Sequence, residues 1–310
     1  MTFIHDDAAF EDLLRITAAK TSVAIALVEK DYWVTHTLWA LQRCPFEIWF
    51  KGGTSLSKGF QLIQRFSEDL DLKITIKGAA EPNWSGDGTS AIATRKEHFD
   101  RIERELNVPG ANCFAEPRDR KYRDANYRIE YPNKHNLASP MRQHVLIEAG
   151  NARVTPFVPR DLTSFVHETL SALDQLGDYD DNRPVAVRCL HPLVTLLEKI
   201  DILQKRVSGD RPPAEFVRHF DDAASIIQQI SGLPPLPQYA DVSTLAGAMV
   251  TARDLKGLPD ANHGAFNLQD TERTTHVRAA YEGVYAMYWG LRPGLDRACS
   301  IIREWIAQTF

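Results

Sequence analysis

A turn of sequence Lys51-Gly-Gly-Thr-Ser carries residue types that suit phosphate binding. Gly52 and Gly53 have no side chains to keep a phosphate away, and Thr54 and Ser55 supply hydroxyls. Helix N-termini attract anions through unpaired N–H groups and the helix dipole, and we expect a helix to follow this turn. The turn therefore predicts contacts to a nucleotide triphosphate.

Two aspartates follow the turn at a spacing that suits metal binding. Asp69 and Asp71 alternate with Leu70 and Leu72, so on a strand both carboxylates point to one face and both leucines enter the core. Mg²⁺ usually binds a few protein carboxylates and completes its octahedron with water and phosphate oxygens. The pair therefore predicts a magnesium site and, together with the turn, metal-dependent nucleotidyl transfer.

The elements around these residues must bring the turn and the aspartates together. We predict a strand over Glu47–Phe50, a helix over Leu56–Arg65 and a strand over Asp69–Ile76. A helix of that length returns the chain so that the second strand starts near the turn. A Walker A loop is excluded because it ends in Gly-Lys-Ser/Thr, whereas here Lys58 precedes Gly59.

Composition indicates an ordinary globular protein. The chain has 310 residues, of which 44% are hydrophobic and 25% charged, enough for two domains. Its longest apolar stretch, Val23–Val28, is too short for a bilayer, and the N-terminus has no basic region, so we expect a cytoplasmic protein with no membrane partner. The four cysteines are scattered without a Cys-x-x-Cys motif, which argues against zinc and against disulfides.

The charge distribution does not decide which molecule accepts the transferred nucleotide. A formal net charge of −5 argues against an extensive RNA surface, because lysine and arginine normally dominate binding to phosphates. Two basic segments, Arg118–Arg123 and Lys205–Arg211, are candidates for a small basic track. Interleaved aspartates make solvated faces the alternative interpretation of both segments.

The pattern along the chain predicts an α/β domain followed by helices. Two N-terminal helices, Asp7–Ala19 and Ala26–Arg43, would brace a mixed sheet. From about residue 160 the pattern becomes helical, and Leu233–Pro237 interrupts it because its prolines cannot continue a helix. We therefore expect a nucleotidyltransferase domain over residues 1–158 and a helical domain over residues 159–310 that completes the active site.

Five segments together resemble one family, the AbiEii/AbiGii nucleotidyltransferase toxins, from about residue 25 to the C-terminus. They are Glu29-Lys-Asp-Tyr-Trp33, Lys51-Gly-Gly-Thr-Ser, Phe66-Ser-Glu-Asp-Leu-Asp-Leu72, Leu197-Glu-Lys-Ile200 and Arg218-His-Phe-Asp-Asp222. The resemblance implies a DNA-polymerase-β-like nucleotidyltransferase fold and a toxin restrained by an antitoxin encoded nearby. In some members of the family it also implies addition of nucleotides to tRNA.

The resemblance also directs attention to three further residues. A third carboxylate should come from a neighbouring strand, and Glu148 stands alone in the apolar strand Val145–Ala149. It would complete the metal site or take the proton of the attacking hydroxyl. Its alternative role is that of a paired residue at a sheet edge.

Two residues of the helical part match functional positions of the family. Lys199 borders a buried stripe and matches a lysine expected to contact nucleotide phosphate, although a surface ion pair is its alternative role. The match of Arg218-His-x-x-Asp to the family makes Asp222 the equivalent of the family's acid, although a surface ion pair with Arg218 is its alternative role. The neighbouring Asp221 is unusual there and leaves open which aspartate serves.

We therefore predict a magnesium-dependent nucleotidyltransferase toxin. Asp69, Asp71 and Glu148 would hold the metal, and residues 51–55 would bind the triphosphate together with Lys199. The acceptor implied by the resemblance is the 3′ end of a tRNA. Transfer to a protein or small-molecule hydroxyl is the alternative reaction, and a nucleotide-binding module without activity is the non-enzymatic alternative.

Overall fold

The computed structural model of the protein describes residues 2–66, 69–137, 141–269 and 271–310, so Ser67 and Glu68 of the aspartate motif lie outside the described residues. The chain divides into two compact units. Unit 1 comprises Met1–Thr54, Ser67–Val154 and Pro159–Cys189, and unit 2 comprises Ser55–Phe66, Thr155–Val158 and Leu190–Phe310. Residues 159–189, which the sequence pattern assigned to the helical domain, are part of unit 1 in this division.

In the described part of the chain, seven strands form one mixed sheet, so the predicted α/β fold is confirmed. The strands are β1 (Phe46–Lys51), β2 (Asp69–Ile76), β3 (Asn112–Ala115), β4 (Asp124–Glu130), β5 (Val145–Gly150), β6 (Phe157–Arg160) and β7 (Val187–Leu190). Their order is β3-β4-β5-β2-β1-β7-β6. Strand β1 is antiparallel to β2 and parallel to β7, and β2 is parallel to β5. The short strands β6 and β7 were not predicted from the sequence.

The helices of unit 1 are α1 (Phe10–Thr21), α2 (Ile25–Arg43), α3 (Gly52–Thr54), α4 (Thr89–Glu105) and α5 (Phe165–Ala172). Those of unit 2 are α6 (Pro192–Arg206), α7 (Arg218–Gln228), α8 (Val242–Thr251), α9 (Glu272–Gly283) and α10 (Leu295–Thr309). Across the described ranges, no helix has both the length and the apolar character needed to cross a membrane.

The sheet has an apolar and a polar face. On β2, Leu70, Leu72, Ile74 and Ile76 are all buried, as their alternation predicted. Helix α4 lies on this apolar face, where the hydroxyl of Tyr127 donates a hydrogen bond of 2.9 Å to the carbonyl of a helix residue. The opposite face carries the alternate residues of each strand, which are the polar ones on β2.

Helix α2 holds neighbouring segments of unit 1 in place with charged side chains that are buried. On α2, Glu29 accepts N–H bonds from the loop between β4 and β5, and Asp31 accepts the N–H of Phe165 at 2.9 Å. Burial raises the pKa of Glu29, while those N–H donors oppose the rise. Lys30 donates to the carbonyl of Arg142 at 2.8 Å. The predicted helical brace is therefore present, and its buried charged residues form hydrogen bonds with the backbone of neighbouring segments.

The helix predicted over Leu56–Arg65 is wrong in its position. Helix α3 begins at Gly52, continues as a π-helical turn over Ser55–Gly59 and then ends. Glycine is a poor helix former, and Gln61 beyond it has a positive φ of 55°. The two glycines of the turn are thus the first residues of the helix, and residues 60–66, all within the described part of the chain, form no helix.

Candidate functional site

Asp69, Asp71 and Glu148 lie near one another on the polar face of the sheet in unit 1. Asp69 and Asp71 are two residues apart on β2, and Asp71 is in register with Glu148 on β5. On its other side Asp71 is in register with Lys51 on β1. Because residues in register on adjacent strands share a face, the fold brings these four predicted site residues together.

Gly52 fits against this group in a way that no other residue would. Its φ is 73°, in the left-handed region, and a Cβ atom built there would lie 3.2 Å from both Cβ and Oδ2 of Asp71. A side chain at position 52 would therefore be strained and would press on the carboxylate. Close approach to Asp71 thus requires glycine at position 52, whereas the phosphate access expected from the two glycines stays a prediction.

The two hydroxyls of the turn have different surroundings. Thr54 is buried, and its Oγ1 donates a hydrogen bond of 2.8 Å to the main-chain carbonyl of Asp69. This bond ties α3 to the strand that carries the aspartates. Ser55 is also buried, and its Oγ has no hydrogen-bond partner within the described part of the chain. A phosphate contact from either residue stays a prediction, and Ser55 is the better candidate because Thr54 already donates.

Two cations face the aspartates. The Nζ atom of Lys51 lies 3.1 Å from Oδ2 of Asp71, and the guanidinium of Arg142 pairs with Asp69. Arg142 precedes β5 in a loop, and no sequence pattern pointed to it, because only the pairing of β2 with β5 brings that loop to Asp69. These cations offset the repulsion between neighbouring carboxylates.

The third carboxylate holds its proton more tightly than an ordinary glutamate. Burial, followed by the charges of Asp69 and Asp71, raises the pKa of Glu148 to about 7, although Arg142 and Lys51 oppose the rise. A carboxyl group with a pKa near neutrality exchanges protons readily at physiological pH. Glu148 is therefore suited to accept a proton or to bind a cation once deprotonated.

The donor set of this face suits a hard divalent cation. It consists of carboxylate oxygens on adjacent strands, the ligands that Mg²⁺ prefers. Among the described residues, no three acidic, histidine or cysteine side chains are already arranged as a metal site. In this structure Asp71 and Asp69 bind Lys51 and Arg142 instead. Metal ligation by Asp69, Asp71 and Glu148 therefore stays a prediction that the residue types fit.

A second charged cluster lies in unit 2 around Asp222. Asp222 is fully buried, and Arg65 donates to both of its oxygens, Nε to Oδ1 at 2.7 Å and Nη2 to Oδ2 at 2.8 Å. The Nζ atom of Lys199 lies 2.7 Å from the same Oδ2. Burial alone would raise the pKa of Asp222, but Arg65 and Lys199 hold it well below its ordinary value. Asp222 is thus an ionised carboxylate between two cations.

Lys199 lies on α6, beside the buried stripe of Leu196, Ile200 and Leu203 that the sequence predicted. Its side chain is only 6% exposed, so it is not a surface lysine. His219 lies 3.3 Å away through Nδ1, and burial, followed by the charge of Lys199, lowers the pKa of His219 to about 3. The histidine is therefore neutral, and its Nδ1 accepts a hydrogen bond from the ammonium.

Asp221, the neighbour of Asp222, faces different partners. The hydroxyl of Tyr281 donates to its Oδ1, and Nε of Arg292 donates to its Oδ2 at 2.9 Å. The guanidinium of Arg292 also stacks on the rings of Tyr281 and Tyr288, 4.0 Å and 4.4 Å from their centres. This arrangement ties α7 to the chain after α9. Of the two aspartates, Asp222 is the one in contact with Lys199.

Arg65 is the residue of this cluster that the sequence analysis missed. It was counted as the last residue of a helix, whereas in the structure it forms a β-bridge with Tyr288 in extended conformation. Its position directly before the segment Phe66-Ser-Glu-Asp-Leu-Asp-Leu72 was the available signal. A helical arginine is usually solvated, so the pattern alone gave no reason to bury it.

The basic segments proposed as an RNA track are largely paired with acidic side chains. Arg118 pairs with Asp100 and Glu103, and both Lys121 and Arg123 pair with Asp87. In the other segment, Lys205 pairs with Asp201 and Arg206 with Glu215. These pairs reduce the positive charge that either segment would present to phosphates.

Comparison with known proteins connects this geometry to one family. The family model described as "Nucleotidyl transferase AbiEii toxin, Type IV TA system" matches residues 41–291. No curated protein matches the chain. Among solved structures, the nucleotidyltransferase toxin MenT4 from Mycobacterium tuberculosis H37Rv is similar with a TM-score of 0.39 and 14% sequence identity, over 96% of this chain and 98% of that chain. A likeness of this size carries no information about substrate or acceptor.

Proposed function

Because the chain belongs to the AbiEii nucleotidyl transferase toxin family, we propose that it uses Mg²⁺ to transfer a nucleoside monophosphate from a nucleoside triphosphate to the 3′ end of a tRNA. Membership makes the protein a nucleotidyltransferase toxin of a type IV toxin–antitoxin system. It also implies a nucleoside triphosphate substrate and an antitoxin partner. The metal, the acceptor and the roles of individual residues are our proposals.

The observation that supports this proposal most directly is the register of Lys51, Asp71 and Glu148 across three adjacent strands. Together with Asp69 it places three carboxylates on one face, next to a helix start that closely approaches them through Gly52. Nucleotidyltransferases generally use a divalent metal. We assign the metal to Asp69, Asp71 and Glu148 because hard cations prefer carboxylate oxygens. Among hard cations we propose Mg²⁺, which binds through a few carboxylates and the substrate phosphates.

In the proposed reaction, the acceptor hydroxyl attacks the α-phosphorus, a new P–O bond forms, and the bond to the β-phosphate oxygen breaks to release pyrophosphate. A bound metal supplies charge stabilisation at the phosphates and lowers the pKa of the acceptor hydroxyl. Glu148, deprotonated, takes the hydroxyl proton when it is not itself a ligand. Ser55 and Lys51 contact phosphate oxygens, and Lys199 offsets their negative charge. Asp222 holds the Lys199 ammonium in place.

Labelled nucleotides test the reaction and the acceptor together. The purified protein is incubated with each of the four α-labelled nucleoside triphosphates, Mg²⁺, and either total RNA or cell lysate, and the product is then treated with RNase or protease. We expect label in RNA that RNase releases and that sequencing places at tRNA 3′ ends. Asp71→Asn should abolish labelling. Glu47→Gln is the matched control and should preserve labelling. Glu47 lies on the same face of the sheet as Asp71, but on β1, and it pairs with Arg188.

A protein hydroxyl is the second candidate acceptor, and two observations favour it. The net charge is −5, and the basic segments are mostly paired with acidic residues. Label that withstands RNase and is lost on protease treatment would move the acceptor to a protein. Absence of label from every nucleotide in both RNA and lysate would contradict nucleotidyl transfer itself.

The toxin function is tested in cells. We expect expression without the cognate antitoxin to halt bacterial growth and Asp69→Ala to relieve the arrest. Arrest by Asp69→Ala at equal protein level would separate toxicity from nucleotidyl transfer. Sequencing RNA 3′ ends from arrested cells then distinguishes tRNA from other acceptors.

A further inference from the structure

Asp222 binds two cations where one would balance its charge. The carboxylate is completely buried, and the side chains of Arg65 and Lys199 are 3% and 6% exposed. His219, the other basic group in contact with Lys199, is neutral because burial and Lys199 lower its pKa to about 3. The three ionised groups therefore sum to one positive charge. Without Arg65, the remaining Lys199 and Asp222 would form a neutral pair.

The two cations bind Asp222 in different ways. Arg65 engages both oxygens of Asp222 through a two-point contact at 2.7 Å and 2.8 Å, the strong geometry for an arginine–carboxylate pair. Its other terminal nitrogen donates to the carbonyl of Phe66 at 3.1 Å, so the guanidinium is held from two sides. Lys199 makes one contact, with Oδ2. Arg65 thus fixes the orientation of the carboxylate that Lys199 binds.

We propose that Arg65 is a positioning residue that holds Asp222 and compensates its charge, so that the Lys199 ammonium keeps a net attraction for the phosphates of a nucleoside triphosphate. This inference rests on the proposed function, in which Lys199 acts on the triphosphate. It adds a residue to which neither the family match nor the sequence pattern gave a role. A purely structural arginine would stabilise the fold without setting the charge felt at Lys199.

Several charged groups face Lys199, and each affects its protonation. Burial lowers the pKa of Lys199, Asp222 opposes that shift, and Arg65 and Arg218 add to it. Tyr288 forms a β-bridge with Arg65. Burial, followed by the charge of Asp222, raises the pKa of Tyr288, and the charge of Arg65 opposes the rise. Removing the positive charge of Arg65 should therefore raise the pKa of Lys199 while weakening its attraction for phosphate. Loss of packing alone does not produce this pair of effects.

The test compares two substitutions that separate charge from contact. Arg65→Gln removes the charge but keeps an amide donor for Asp222, and Arg65→Lys keeps the charge but loses the two-point contact. Folding is checked by circular dichroism. The pKa of Lys199 is measured by NMR on protein labelled with ¹³C at the lysine ε-carbon, with Lys199→Arg used to assign the signal. The affinity for each nucleoside triphosphate with Mg²⁺ is measured by calorimetry.

We expect Arg65→Gln to raise the Lys199 pKa and to weaken nucleotide binding roughly tenfold, the factor that corresponds to about 1.4 kcal/mol. Arg65→Lys should keep the Lys199 pKa near that of the parent and bind nucleotide more tightly than Arg65→Gln. If Arg65→Gln does not fold, the comparison rests on Arg65→Lys. That variant would then overturn the inference if it moved the Lys199 pKa upward.

Arg292→Gln is the matched control. Arg292 is also a buried arginine paired with an aspartate of α7, but its partner is Asp221. This variant should lose stability without changing the Lys199 pKa or nucleotide affinity. Equal effects of Arg65→Gln and Arg292→Gln, or an unchanged Lys199 pKa in Arg65→Gln, would overturn the inference. A parent that binds nucleotide but transfers none would contradict the proposed function while leaving these readouts valid. A parent that binds no nucleotide would overturn both.

Discussion

The negative charges of Asp69 and Asp71 on the sheet and that of Asp222 on α7 are compensated in opposite ways. Asp69 and Asp71 are 28% and 35% exposed and stand beside like charges, and their ion pairs are with Arg142 and Lys51. Asp222 is completely buried, and two cations hold it at three distances between 2.7 and 2.8 Å. Exposed pairs contribute little to stability and exchange partners readily, whereas a buried carboxylate depends on its partners. The first arrangement suits ligand binding, and the second suits a fixed local charge.

The largest expected effect is the loss of transfer when a sheet carboxylate is removed. Asp69→Ala and Asp71→Ala should each reduce the rate roughly 10³-fold or more, since loss of metal ligation forfeits several kcal/mol of transition-state stabilisation. Melting temperature without Mg²⁺ should change little, because removing one carboxylate also relieves repulsion. Transfer at the parent rate by both variants would remove the proposed metal site, and a large fall in melting temperature would show that these aspartates are structural.

The second effect is destabilisation at α7. Asp222→Ala should reduce the free energy of unfolding by about 3–5 kcal/mol, because it leaves two buried cations without their carboxylate. Denaturant unfolding without metal measures this loss beside that of Asp71→Ala, which should be much smaller. Asp221→Ala, the control for activity, should also destabilise the fold through Arg292 but should retain nucleotide transfer. Similar losses for Asp71→Ala and Asp222→Ala would contradict the contrast between the two regions.

A smaller effect concerns pH and Glu148. Its pKa is raised to about 7 in the folded chain from an ordinary value of 4.5, so the folded state holds the proton more tightly. The stability that this proton contributes is complete below the unfolded pKa and is lost as pH rises through about 7. Without metal, the parent should therefore lose stability relative to Glu148→Gln across that window. A stability difference between the two proteins that stays constant with pH would show that the Glu148 pKa is not raised.

The smallest effect is expected in the basic segments. Lys121 and Asp87 form an ion pair in which both side chains are more than half exposed. Reversing the charge by Lys121→Glu should change the free energy of unfolding by no more than about 1 kcal/mol and should leave nucleotide transfer unchanged. Transfer rates measured at low and high salt check this result. A strong, salt-dependent loss of transfer would instead place Lys121 at the acceptor and revive the basic track.

The local sequence pattern was sufficient to predict burial where the periodicity of a strand or helix decided which side chains face the core. The alternation of Asp69–Ile76 predicted both the buried leucines and the shared face of the aspartates, and the structure confirms the strand and its burial. The stripe of α6 predicted its buried side and the position of Lys199 beside it. Pattern was insufficient for residues 56–65, where the helix ends at Gly59 and Arg65 forms a β-bridge with Tyr288, because contacts distant in sequence outweigh propensity.

The sequence by itself determined the mixed α/β class, the two aspartates on one strand face, the glycine turn and the family to which they belong. The tertiary structure alone decided the partners: Glu148 beside Asp71, Arg142 on Asp69, Arg65 on Asp222, and Asp221 turned toward Arg292. Periodicity fixes the direction of a side chain relative to its own element. Which charge it meets depends on strand order and on chain segments far apart in sequence, and the energy of a buried charge depends on that partner.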